Sequence, residues 1–549
     1  MKQSTSGFLG NGMLFVLLTG FTILYSSDLF SQEVPFGIEL EEVQINQLGG
    51  LQSFAVGQHN GKWLVVGGRL DGLHRRQPWA AFDLAGHNNQ VFVIDPVNEQ
   101  VWTSPLSVLN AGLAEQLRST NMQFHQSVEY LYVTGGYGRS DIENDHVTFN
   151  LLTAINVPGA INAVVNQQDI SPYFQSLAHE QFRVAGGHLK KLGEVFYLVG
   201  GNKFMGRYNP RGPNFGPGFV QEYTNAVRRF TVNWQGDAFS VDFLEPYEDA
   251  ENLHRRDFNV TPQIFPNGQE GLTAFSGVFQ HNLDLPFLNS VDITAGGYTV
   301  NDDFTQYYNH YHCANIPLYD AEANEMHTLF FGGIAQFYDE GGVLIQDDDV
   351  PFVRTIARVT RSADGSMAEY KLPIEMPDLL GAGSEFIVNE SLPKYSNNVI
   401  KLNELEGDTI LLGYIYGGIS SSAPNIFFVN DGTQSTASSE IFKVFLLKSA
   451  VTGIHQVNPH SISTLKTLLY PNPNNGKFLL EFNLVRPSQV TATIHSVAGQ
   501  LVETVKLGHN QHGMQYYTID LVNRLVPGHY LIKLKTDYEE SVQRLVVRE

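Results

Sequence analysis

Two short motifs carry the side chains best suited to chemistry: Leu73-His74-Arg75-Arg76 recurs as Leu253-His254-Arg255-Arg256. Adjacent guanidinium groups can clamp a carboxylate through paired hydrogen bonds, and a neighbouring histidine can move a proton. Trp79 and Tyr208 stand in Gly- and Pro-rich stretches nearby and offer flat faces for a sugar ring or a peptide. These residues are the candidate ligand-binding set. The alternative is that the arginines pair with carboxylates such as Asp71 or Asp257 and hold loops in place. His310 and His312 lie two apart in Tyr307-Tyr308-Asn309-His310-Tyr311-His312-Cys313, so a strand would put both on one face, where they could meet a metal. No second matching cluster accompanies them, so packing is their expected role, and neither a metal nor a cofactor is assigned. The sequence has no Gly-x-Ser-x-Gly elbow and no phosphate-binding loop, and Arg183 stands where a zinc protease needs a histidine four residues after His179. No catalytic set can be assembled from these residues, and the catalytic residues, if any, are unknown.

The elements that must position these groups repeat. Gly61-Lys62-Trp63-Leu64-Val65-Val66-Gly67-Gly68 is a turn, an apolar β-rich run and a glycine pair. The phrase returns ending at Gly135-Gly136, Gly200-Gly201, Gly332-Gly333 and Gly417-Gly418, and in weaker form at Ser276-Gly277. Such spacing, roughly 55 to 85 residues, is that of a repeat of about 50 carrying variable loops. Each copy extends into four strands: 52–57, 63–67, 90–95 and 100–104 in the first unit, with Asp95-Pro96-Val97-Asn98 as the turn between the last two. The off-phase pairs Gly186-Gly187 and Gly296-Gly297 are expected inside strands one and three of their units. A lone four-stranded meander cannot bury both faces, whereas ringed neighbours cover one another. The sixth unit shows one clear outer strand, 439–447. The alternating segment Glu42-Val43-Gln44-Ile45 near the N-terminus is expected to supply its partner and leave no open edge.

Composition agrees with an all-β, turn-rich chain: of 549 residues only 16% are charged, 12% are aromatic and 51 are glycine. The net charge of -22 argues against a nucleic-acid partner, which needs a positive surface. One cysteine excludes an intrachain disulfide and a cysteine-based zinc site. Lys2, the apolar run 13–25 and the small-residue region 26–31 read as a signal peptide over 1–31, and no later run is long enough for a transmembrane span.

Two resemblances follow. The apolar run ending in Gly-Gly, followed by an outer pair such as Val91-Phe92-Val93-Ile94-Asp95-Pro96 then Val101-Trp102, resembles the kelch repeat. It implies a six-bladed kelch-like β-propeller over 33–448. After a linker at 449–467, residues 468–549 resemble the C-terminal sorting domain of the bacterial type IX secretion system. The matching pieces are Pro471-Asn472-Pro473 with Gly476 and Phe478, then Ser496-Val497-Ala498-Gly499-Gln500-Leu501-Val502, then Leu525-Val526-Pro527-Gly528-His529-Tyr530, then the terminal Arg544-Leu545-Val546-Val547-Arg548-Glu549. Ala498 and Gln500 depart from the acidic and basic residues often found in the family. This resemblance implies a small Ig-like β-sandwich, passage through the type IX secretion machinery, and a secreted product or one held at the outer-membrane surface.

In a meander all loops joining strands two and three leave on one side of the ring. The long ones, 69–89, 202–222, 335–351 and 419–438, belong to this class, and the first two are rich in Arg, Trp, Tyr, Phe, Gly and Pro, a composition suited to sugar rings or peptides. The expected function is a surface or secreted binding protein for a glycan or protein ligand. The alternative is a carbohydrate-acting propeller enzyme of mutarotase or oxidase type.

Overall fold

The structure is a computed structural model that describes residues 36–77, 79–209, 218–340, 343–448, 455–456, 465, 467–484, 487–496, 499–511, 513–537 and 540–548. The stretch 1–31 expected to be a signal peptide, and most of the expected linker at 449–467, lie outside the described residues.

Five antiparallel meanders follow one another. They are Ala55–His59, Lys62–Val66, Gln90–Asp95, Gln100–Pro105; then Gln123–Ser127, Tyr130–Thr134, Leu151–Asn156, Phe174–Ala178; then His188–Leu192, Val195–Val199, Ala226–Gln235, Ala238–Glu248; then Asn259–Ile264, Glu270–Phe275, Ser290–Thr294, Gly297–Asn301; then Asn315–Asp320, Glu325–Phe331, Thr355–Arg361, Met367–Glu375. The sixth takes Ser384–Val388, Thr409–Gly417 and Ile441–Leu447 from its own stretch, and its outer strand is Gly37–Val43, paired from Gly37 opposite Leu447 to Val43 opposite Ile441. The N-terminal segment thus covers the edge as the pattern predicts, although the strand begins before Glu42. At the Asp95 turn the carboxylate accepts the backbone N–H groups of Val97 and Asn98, which fixes the tight reversal between strands three and four.

The first strands of successive sheets lie against one another in order, and the sixth returns to the first. Just ahead of them runs a closed cycle of backbone hydrogen bonds. Asn121 N–H donates to the Ser53 carbonyl, Gly186 to Asn121, Asp257 to Gly186, His312 to Asp257, Gly383 to His312 and Ser53 to Gly383, at 2.7 to 3.2 Å. Ser53, Asn121, Gly186, Asp257 and Gly383 reach it with left-handed backbone, φ between 50° and 72°. The result is a propeller-like all-β arrangement about one axis. Its cores lie between sheets: Leu64, Val91, Leu131 and Ile155 bridge the first and second, and Leu329, Ile356, Ile415 and Val444 bridge the fifth and sixth. Each sheet keeps its faces dry only because its neighbours do.

The glycine pairs sit where second strands end against the next sheet. At Gly135, φ +65°, an added Cβ would lie 1.8 Å from the carbonyl oxygen of Val184, so only glycine fits. The off-phase pairs depart from expectation. Gly186 is a member of the hydrogen-bonded cycle and Gly187 precedes the strand, while Gly296 forms the turn before the fourth strand of its sheet. The long connections also depart, because they fold into strands of their own. Asn202–Met205 and Val220–Tyr223 form a hairpin that joins Tyr137–Ser140 and Asp145–Thr148, and Phe337–Glu340 pairs with Val343–Gln346. Pairing satisfies backbone groups that a long irregular loop would leave to solvent.

Beyond the linker, Thr467–Tyr470, Lys477–Leu484 and Gly513–Asp520 make a three-stranded sheet. Ser488–Ser496, Leu501–Asn510, Gly528–Lys535 and Glu540–Val547 make a four-stranded one. Phe478, Leu480, Ile494, Ile532 and Leu545 form their shared core.

Candidate ligand site at the mouth of the ring

First strands start at the cycle of hydrogen bonds, so second strands end there and every long connection between strands two and three leaves on that side. The same side carries the sequence-predicted residues, which the fold sorts into three groups.

The first group converges. Arg256 Nη1 donates to Asp257 Oδ2 at 2.8 Å, and Arg256 Nε donates to the Tyr223 hydroxyl at 3.0 Å. Asp257 Oδ1 accepts from Asn121 Nδ2 at 3.1 Å, and burial, then the Asp257 charge, raises the Tyr311 hydroxyl well above its ordinary pKa. His254 stacks on Tyr223 with ring centroids 3.7 Å apart and meets His281 edge-on at 5.0 Å. From the other side His74 packs edge-on against Tyr208 at 4.7 Å, with Phe82 beside both. Tyr208 feels the charges of Arg256 and Asp257, which ties the two halves into one mouth.

The second group is structural. Arg255 is 1% exposed, donates to the carbonyl oxygens of Asn252, Ser276 and Asn289, and lies 4.1 Å over the Phe287 ring. Burial lowers its pKa to about 9. The third group lies along the 428–432 segment or at a loop tip. Arg75 lies against Gly432, and the Arg76 guanidinium sits 5.0 Å over Phe428. Trp79 is 70% exposed on a loop tip. Asp257 does pair with an arginine of its motif, but Asp71 takes neither Arg75 nor Arg76. It holds Arg69 through two bonds of 2.6 Å.

His310 and His312 do not share a strand face, because 307–314 is irregular and Asn309 has left-handed backbone, φ 58°. His310 is buried between the Gln306 carbonyl and the Gln336 N–H, whereas His312 Nε2 lies 3.0 Å from Glu385 Oε1. Among the described residues no group of three His, Cys, Asp or Glu side chains could hold a metal ion.

The electrostatics follow from burial and from paired charges. Burial, then Arg256, lowers His74 to about 4. Burial, then His281 and Arg256, lowers His254 to about 4. Burial opposes the Arg256 charge, yet Tyr223 and Asp257 outweigh it and raise its pKa. At neutral pH His74 and His254 are therefore neutral imidazoles beside the Arg256–Asp257 pair. A different cleft, of about 820 Å³, lies away from the mouth between the 337–355 region and the C-terminal sheets, with Arg354, Asp348 and Arg544 on its walls.

Asp257, Asn121, Tyr223 and Tyr311 were not singled out as ligand residues. Asn121 and Asp257 share a weak sequence signal, a small or polar residue shortly before the first strand, as in Ser53, Gly186 and Gly383, and Tyr223 and Tyr311 lie outside that pattern.

In the tail the motif residues are fasteners. Asn472 Nδ2 donates to the Arg544 carbonyl at 2.7 Å, and Asn472 Oδ1 accepts from Val546 N–H at 2.8 Å, so the Pro471-Asn472-Pro473 turn clips the last strand. Gly476 and Gly499 turn with φ +94° and +78°, Phe478 is 1% exposed, and the Tyr530 hydroxyl donates to the Val526 carbonyl at 2.8 Å.

Residues 468–548 match the family described as the secretion system C-terminal sorting domain. This tail marks the chain for export by the type IX system to the cell surface or the extracellular space, with the secretion machinery as its partner. No helix among the described residues is long and apolar enough to cross a membrane. No curated protein matches. A solved structure titled "Structure of YjhT" is similar at a TM-score of 0.40 and 11% identity, covering 74% of this chain and 99% of that one. A likeness of that degree carries no argument about the site.

Proposed function

We propose that residues 33–448 form a six-bladed, kelch-like β-propeller. It is exported behind a signal peptide and an Ig-like sorting sandwich, and it binds a glycan or protein ligand through its ring-side face. The propeller reading is supported by six meanders whose first strands close on one another, and by glycine pairs at the ends of second strands. The observation that carries the binding reading is the Arg256–Asp257 pair at the axis, ringed by Tyr208, Tyr223 and Tyr311. Rigid aromatic faces around a few oriented polar groups are what a recognition site needs. A glycan array and a protein pull-down with the full chain test it. Retention of neither class of ligand at the ring-side face would remove the reading.

The second reading is a propeller enzyme acting on carbohydrate. Its support is that His74 and His254 share the mouth with a carboxylate. Turnover of a bound sugar, followed by proton NMR of its anomeric signals, separates the two.

A further inference from the structure

We propose that the ligand at the mouth is an uncharged saccharide, an inference that rests on the ring-side face being the binding face. Among the described residues, Arg69, Arg207 and Arg256 around the mouth each face a carboxylate. Arg69 is bound to Asp71 at 2.6 Å, Arg256 to Asp257 at 2.8 Å, and Arg207 lies 3.8 Å from Asp83. Burial keeps the imidazoles of His74 and His254 neutral at pH 7, and the same holds for His87 behind them. The described residues of the mouth are therefore dense in hydrogen-bonding groups, with their arginine charges matched by carboxylates.

A carboxylate or ammonium ligand entering it would bring a charge with no free counterpart and lose its hydration. The chain's net charge of -22 adds a long-range repulsion against acidic ligands. A sugar hydroxyl meets neither penalty. Arg256 Nη2 donates to no acceptor among the described residues, so it can donate to a ligand oxygen. The Tyr223 hydroxyl accepts from Arg256 and keeps its own proton to give. Tyr208, and Phe279 beneath the Arg256 guanidinium, add flat apolar faces suited to the C–H side of a pyranose ring.

The test uses the full-length chain against neutral oligosaccharides, uronate- or sialic-acid-terminated ones, and peptides. Affinity is measured by calorimetry at about 50 and about 500 mM NaCl. Neutral sugars are expected to bind with a Kd that changes less than about twofold between the two salts, since no ion pair is screened. Tyr223→Phe and Arg256→Met are expected to weaken binding at least about tenfold, with Tyr223→Phe leaving the melting temperature unchanged. Binding confined to acidic sugars, or lost at high salt, overturns the uncharged-ligand inference but leaves the ring-side binding face standing. Binding of peptides alone does the same. Unaltered affinity in Tyr223→Phe and Arg256→Met together removes the mouth as the site, and no binding of any probe removes both readings.

Discussion

The backbone N–H of Ser53 donates to the carbonyl oxygen of Gly383 at 2.8 Å, joining the first sheet to the sixth across more than three hundred residues of chain. That bond completes the cycle about the axis, and the outer strand Gly37–Val43 completes the sixth sheet at its rim. Closure is therefore made twice, at the hub by backbone and at the edge by the N-terminal strand.

Deleting residues 36–43 uncovers the edge of Ile441–Leu447 and removes Phe36 and Ile38 from the core between the fifth and sixth sheets. The expected loss is at least about 3 kcal/mol, with self-association through the open edge. Thermal unfolding and size-exclusion chromatography check it.

Two glycines should answer differently to a side chain. Gly135→Val drives a β-branched group into the Val184 carbonyl and should cost about 3 kcal/mol or more, whereas Gly61→Ala meets open space and bears only the strain of φ +73°, about 1 kcal/mol. Denaturant midpoints of the two variants measure the difference.

The tandem arginines should separate in their effects. Arg255→Met leaves buried carbonyls unpaired and should lower stability by about 2 kcal/mol. Arg75→Ala, on the exposed rim, should change stability by less than about 0.5 kcal/mol. Urea unfolding of both variants decides whether the fold has divided the motif as described.

Stability should fall on the acid side through the buried histidines. Burial, then nearby arginine charge, lowers His87 and His327 to about 3. The unfolded chain therefore takes up protons first, and the stability these groups contribute above pH 6.5 is lost as pH falls toward 3. Glu369 acts oppositely. Burial raises it to about 8 against the N–H groups of Tyr307 and Tyr308, so its contribution is full below about 4.5, the model-peptide range, and is lost as pH rises through 8. Melting temperature against pH should flatten at its acid end in His327→Gln and at its alkaline end in Glu369→Gln.

Removing residues 467–548 should leave the protein inside the cell envelope, since the sorting domain is what the machinery reads. Asn472→Ala should do so partially, by freeing the last strand it clips. Immunoblots of culture medium and envelope fractions measure both.

The amino-acid order by itself determined the repeating units, the places where second strands end, the need for an outside strand to finish the sixth sheet, and the sorting tail. These are written in local pattern: alternation, turn residues and glycines where no Cβ fits. Which member of each motif faces the axis was decided only by tertiary structure. Arg255 and Arg256 are neighbours with the same chemistry, yet one is sealed beneath Phe287 while the other reaches Tyr223. Arg75, in the matching motif, lies against Gly432. Asp257, with left-handed backbone in the hydrogen-bonded cycle, anchors one of these arginines and not the others. Its partner Asn121 and its neighbour Tyr311 are far apart in sequence and meet it only because the sheets close, and contacts made by closure leave no local periodicity to read.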